Sequence, residues 1–245
     1  MSHLSASLKT KSVEIEDVGS ITITRRKGSS RISMRIHSDG SVKVTHPWFA
    51  SQKEVAAFIH SNINWIKEHQ QKVSERKVFY QFNQEIKTHN HTISILPSAG
   101  EKQKAGVLKD KVVIAIPSDS NIESDEVQQF IQTVIARICR NEAKAFLPAR
   151  VKELAELHGF AYQTVFVKKL KSKWGSCSSV GNINLNIWLM LLPDYLIDYI
   201  ILHELAHTRE HNHGAGFWML LDQITNGNAR QLDKEIKKNQ CGKAL

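Results

Sequence analysis

The chain has 245 residues, of which 41% are hydrophobic and 23% charged, and its formal net charge is +9. That composition excludes a disordered or fibrous protein and allows one large or two small domains around a buried core. No apolar run approaches the roughly 18 residues of a membrane span. Three scattered cysteines (Cys139, Cys177 and Cys241) are too few for a disulfide framework, so a cytoplasmic address is expected.

In chain order, residues 1–20 read as an N-terminal tail without the apolar core of a secretory signal. Residues 21–120 read as a β-rich module with one helix. "RISMRIH" and "SVKVTH" are strand-like and flank Ser38-Asp39-Gly40, a hairpin turn signal. "SQKEVAAFIHSNINWIKEHQQK" follows as a helix, with Val55, Phe58, Ile59, Ile63 and Ile66 at helical spacing and Ser51 placed to cap it. "HTISIL" and "KVVIAIP" are strand-like, and "PSAGEKQKAG" between them reads as an exposed loop.

Residues 121–245 read as a catalytic region. A helical pattern runs from about Glu123 to His158, broken or kinked at Pro148 and stopped by Gly159. "TVFVKKL" and "NINLNIWLML" read as strands joined by "KSKWGSCSSVG", too rich in Gly and Ser to be regular. Pro193-Asp194 opens the helix "DYLIDYIILHELAHTREH", and "GAGFWMLLDQ" opens another. The whole is an α+β protein.

The charge is uneven: "RRKGSSRISMR" (25–35) holds five basic residues and "KKLKSK" (168–173) four. These are solvated faces or a polyanion site, the latter for nucleic acid or nucleotide phosphates.

The chemistry lies in "HELAHTREHNH", which holds four of the chain's 12 histidines. On a helix His203 and His207 are about 40° apart and one turn along, so both imidazoles reach one ion. Glu204 is displaced by about 100° from His203, beside the ion rather than on it. Zinc held by two histidines and a third group keeps a position open for water. It lowers that water's pKa toward ~7, and a neighbouring carboxylate can take the proton. The five-residue spacing alone is a roughly four per cent accident in a chain this rich in histidine; His213, ten positions on, sharpens it. His213 serves as third ligand if the chain leaves the helix at Asn212, which tolerates a left-handed turn, with Glu210 and Asp222 as rivals. His211 is explained as a cation at a helix end.

"KSKWGSCSSVGNINLNIWLMLLPDYLIDYIILHELAHTREHNHGAGFW" resembles the YgjP-like metallopeptidases, relatives of the WLM and SprT-like zinc proteases in the zincin group. The matching positions are Trp174 to Cys177, Asn182 to Asn186, His203 to His207, Asn212-His213 and Phe217-Trp218. The leading segments "RRKGSSRISMRIHSDGSVKVTHP" and "ASQKEVAAFIHSNINWI" are similar too. The resemblance implies a zincin-like catalytic half, with a metal-binding helix packed on a small sheet. It also implies one zinc on His203, His207 and His213, with Glu204 as general base. Many relatives carry Trp-Arg after the strand asparagine, where this chain has Ile187-Trp188.

Cys177 reads as a soft ligand, a reactive thiol or a small buried residue; Trp174, Phe217 and Trp218 read as core aromatics. Asn184, Asn186, Lys171 and Lys173 are candidates for substrate contact or ligand support. Tyr199, one turn before His203, is a candidate oxyanion donor. The expected function is peptide-bond hydrolysis by attack of zinc-bound water, with a peptide or protein substrate paired along "NINLNIWL" and no membrane partner. Two alternatives stand beside it. In one, the lysines of 168–173 bind nucleotide phosphates and the enzyme is a phosphoanhydride hydrolase. In the other, the basic N-terminal strands recruit a SprT-like protease to nucleic acid.

Overall fold

The computed structural model describes residues 10–37, 40–75 and 79–239. Cys241, residues 1–9 of the expected tail, and Ser38-Asp39 of the expected turn lie outside the described residues. The chain divides into two compact units, Met1–Lys77 and Val78–Leu245. The second takes in the strands between 85 and 117, which the sequence reading groups with the N-terminal module. No helix among the described residues is long and apolar enough to cross a membrane.

In the first unit β1 (Thr10–Ile15), β2 (Gly19–Arg25), β3 (Ser33–Ile36) and β4 (Val42–His46) form one sheet in the order β1-β2-β4-β3. Residues 10–20, read from sequence as tail, supply β1 and its turn. Strand alternation sends Ile21, Val42 and Val44 to one face, where they pack with Val55, Ile59 and Ile66. The last three sit on α1 (Gln52–Ser61) and α2 (Ile63–Glu75). The sequence reading makes these a single helix. The break falls at Asn62, whose side-chain amide and backbone N–H bond the carbonyls of Phe58 and Ile59, satisfying the end of α1. Ser51 caps α1 in a reciprocal pair with Glu54.

The second unit holds a sheet of β5 (Glu85–Lys87), β6 (Thr92–Ser98), β7 (Lys104–Leu108) and β8 (Lys111–Pro117), ordered β5-β6-β8-β7. The expected loop 97–106 is shorter than read, because β6 continues through Ser98 and β7 starts at Lys104. The long helix α3 (Asp125–His158) buries a stripe from Val127 to Leu154 and ends at Gly159, left-handed at φ 68°. It runs through Pro148 without a break. Pro148 is preceded by more than five helical turns, so the one hydrogen bond it removes does not end the helix.

The site sits on a three-stranded sheet, ordered β10-β11-β9, of β9 (Val165–Lys168), β10 (Gly175–Cys177) and β11 (Ile183–Asn186). The expected strand "NINLNIWLML" stops at Asn186. That side chain accepts from the N–H of Trp188 and starts a 3₁₀ turn over Ile187–Leu191. Three helices follow: α4 (Asp194–Ala206), α5 (Ala215–Ile224) and α6 (Ala229–Lys238). Their core side chains include Leu196, Ile200, Leu205, Phe217, Leu221 and Ile236. The α+β expectation holds, with the histidine helix packed on a small sheet.

Candidate metal centre

His203 and His207 close α4, one turn apart, as their spacing requires. The helix ends at Ala206 with His207 as its cap, not at Asn212 as the sequence suggests. The chain turns back over 207–211, where Thr208, Arg209 and Glu210 donate backbone N–H bonds to Leu205 and Ala206. Arg209 anchors this turn from outside, its guanidinium bonded to the Gly159 carbonyl and lying over the Phe160 ring. Asn212 is not among the residues of positive φ, so the left-handed step expected there is absent. The earlier exit does the same work.

His213 thereby returns to the other two histidines. Their ligand atoms all lie within 4.8 Å of one another. The Nε2 of His213 is 3.1 Å from that of His203 and 3.2 Å from that of His207. Nitrogens at ~2.0–2.1 Å from a tetrahedral zinc would be about 3.3 Å apart, so the donor set fits that ion. His207 Nδ1 lies 2.9 Å from the Glu210 carbonyl; donating there leaves the Nε2 lone pair for a ligand. Burial lowers the His203 imidazole to about 4, helped by its two histidine neighbours, and burial also lowers His207. Both are neutral at physiological pH, the form a metal needs.

Phe217, at the first turn of α5, floors this cluster. Its ring stacks on His207 at 4.5 Å and meets His203 and His213 edge-on at 4.9 and 4.7 Å. The sequence marks it only as a core aromatic. Neither rival ligand belongs to this cluster. Asp222 accepts from the Ala229 N–H at the start of α6, and the Glu210 carboxyl rests against Gly216.

Glu204 is buried at 6% exposure. Burial pushes its carboxyl up to about 8, against the opposing effects of Lys173 and a backbone hydrogen bond from Cys177. Its berth is Gly175 on β10, where an added Cβ would lie 2.7 Å from Glu204 Oε1. The "WGSC" glycine is thus a spatial requirement of the glutamate 29 positions later, a link no local signal carries. The imidazoles and Glu204 open into a cavity of about 490 Å³ whose opposite wall is the segment from Lys173 to Ser179.

The remaining candidates separate. Asn186, fully buried, bonds the carbonyls of Leu170 and Lys173 and so ties down the segment leading to Gly175. Asn184 accepts from Lys168 and donates to the Ser176 carbonyl. Lys169 lies over the Trp188 ring, Lys171 is exposed outside the cavity, and Lys173 lines it. His211 is exposed at the rim. Cys177 lines the wall, its thiol raised by burial and by Glu204 and bonded to the Ser178 carbonyl. Trp174 donates its indole N–H to the Asn239 carbonyl, and Trp218 packs under Arg230. Tyr199 is buried, and the charges acting on its hydroxyl are those of Asp233, Arg230 and Asp222 rather than cavity groups. Its ring meets His203 edge-on at 6.0 Å, and it is not among the residues that line the cavity.

The family profile described as "YgjP-like, metallopeptidase domain" matches residues 30–239. Among solved structures, the chain is similar to the metallopeptidase zymogen of Pyrococcus abyssi abylysin, at 22% identity and a TM-score of 0.35. It is also similar to the metallopeptidase zymogen of Methanocaldococcus jannaschii jannalysin, at 26% identity and a TM-score of 0.34. Each match covers 38% of this chain and 94% of the other. No curated protein matches.

Proposed function

The chain belongs to the YgjP-like metallopeptidase family, and we propose that it cleaves peptide bonds at one zinc ion held by His203, His207 and His213, with Glu204 as general base. The observation that carries this reading is the convergence of three imidazoles within 4.8 Å beside a buried carboxylate at the wall of a cavity. Zinc bound there would supply Lewis-acid polarisation of a carbonyl and water acidic enough to ionise near neutral pH.

The protein's own groups supply positioning and proton transfer. Gly175 leaves room for Glu204 to take the proton of the attacking water and pass it to the leaving amine. The Cys177 backbone N–H favours the carboxylate form against the larger effect of burial, and Phe217 packs against all three imidazoles. Extended substrate belongs on β10, not on β11 as the sequence suggests. β11 is paired on both sides, whereas β10 is the outer strand of its sheet and lines the cavity.

The test is metal analysis of purified protein together with peptide-library hydrolysis by wild type and Glu204→Gln. The variant should keep its zinc and lose ~100-fold or more in turnover, because glutamine cannot accept the proton. A variant that retains both zinc and full activity would remove Glu204 from the role of base.

A further inference from the structure

The first unit carries a surface that peptide hydrolysis does not use. β2 and β4 run parallel, so the segments leaving their C-terminal ends emerge together. From β2 comes a loop with Arg26, Lys27 and Arg31, all exposed. From β4 come Trp48 and Phe49, 58% and 63% exposed, with ring centroids 5.9 Å apart and planes at 87°. Arg25 binds the two segments into one structure by donating from its guanidinium to the Trp48 carbonyl. The loop is also tied internally, through Ser29 N–H to the Arg26 carbonyl and Ser29 Oγ to the Arg31 carbonyl.

Charge is segregated along the sheet. Glu14, Glu16 and Asp17 lie at the opposite end, where β1 turns into β2, and Asp17 is paired with Lys67. Glu54 is engaged in the α1 cap. Among the described residues, no acidic side chain pairs with Arg26, Lys27 or Arg31. On the face away from the helices, Ser12, Thr22, Lys43 and Arg35 form one cross-strand row. Its two cations are direct neighbours, a like-charge pairing that opposes sheet formation unless an anion is shared.

We propose that this end of the first unit binds single-stranded nucleic acid, with the cations on phosphates and the rings of Trp48 and Phe49 on unpaired bases. Cations alone would accept any polyanion. Two exposed aromatic rings beside them add a site for π-faces, which a single strand offers and a duplex keeps stacked within itself.

The test uses the full chain and fluorescence anisotropy of a labelled mixed-sequence 20-nucleotide strand, as DNA and as RNA, against the same sequence as duplex, over a salt series. The single strand should bind at least about tenfold tighter than the duplex. Its log affinity should fall linearly with log salt, and Arg26→Gln/Lys27→Gln/Arg31→Gln should reduce that slope by about two. Trp48→Ala/Phe49→Ala should weaken binding roughly tenfold or more with the slope unchanged, and Trp48→Phe should keep most of the affinity. Arg25 stays intact because it holds the Trp48 carbonyl, and far-UV circular dichroism checks each variant's fold. Absence of binding at 50 mM salt overturns the proposal. So does duplex binding of equal strength that ignores the aromatic pair, or binding confined to phosphatidylserine vesicles.

Discussion

Substituting Gly175 by alanine perturbs Glu204 while leaving its chemical identity unchanged. Gly175 lies in β10 and is not among the residues of positive φ, so alanine fits its backbone and the effect is steric. The new Cβ would lie 2.7 Å from Glu204 Oε1, 2.8 Å from Cγ and 3.0 Å from Cδ. Ordinary contacts are ~3.5–4.0 Å, so the carboxyl must retreat by roughly 0.5–1 Å. Displacing a catalytic group by ~1 Å costs on the order of 100-fold in turnover. The overpacking should lower stability by about 1–3 kcal/mol. The three histidines are not displaced, so zinc content should be unchanged. Turnover and zinc are measured on one sample, in wild type, each single variant and the double variant with Glu204→Gln. If Gly175 acts only by making room for the base, adding Gly175→Ala to Glu204→Gln should cost little more. Wild-type turnover in Gly175→Ala, or losses that multiply in the double variant, would refute the argument.

Elemental analysis of zinc-loaded protein should find about one zinc per chain. His213→Ala should lower zinc affinity strongly and Glu210→Ala should barely change it; the opposite order in a competition assay would place the third ligand on the turn itself. Loading zinc should also release protons. With the Glu204 carboxyl raised to about 8 by burial, it is mostly protonated at pH 7, and a cation beside it favours loss of that proton. Titration calorimetry in two buffers should show more proton release from wild type than from Glu204→Gln, and equal release would contradict the burial argument. The same raised pKa favours the metal-free fold fully below about 4.5 and loses that contribution as pH rises toward about 8. Metal-free wild type should therefore lose melting temperature across that range relative to Glu204→Gln.

Much of this protein is legible in the sequence because the relevant forces are local. Helical spacing set His203 beside His207, and Ser51 announced a helix start. Gly159 ended a long amphipathic pattern in the left-handed conformation only glycine adopts cheaply. Misreadings occurred where two states were locally close in energy. Asn62 split one apolar-periodic stretch into two helices, and Asn186 turned a run of strand formers into a 3₁₀ turn. α6 went unforeseen although Ala229, Leu232 and Ile236 share a helical face, because Asn226-Gly227 reads equally well as a chain that stays irregular.

By itself, then, the sequence determined the α+β class and which two histidines stand side by side one turn apart, since these follow from residue chemistry and helix geometry within one turn. Only the tertiary structure brought His213, and not Glu210 or Asp222, into one cluster with His203 and His207. That depends on where the backbone leaves α4. It alone placed Tyr199 away from the cavity, moved the outer strand from β11 to β10, and seated Glu204 against Gly175. These are contacts between segments remote in sequence, created by packing, and no spacing along the chain encodes them.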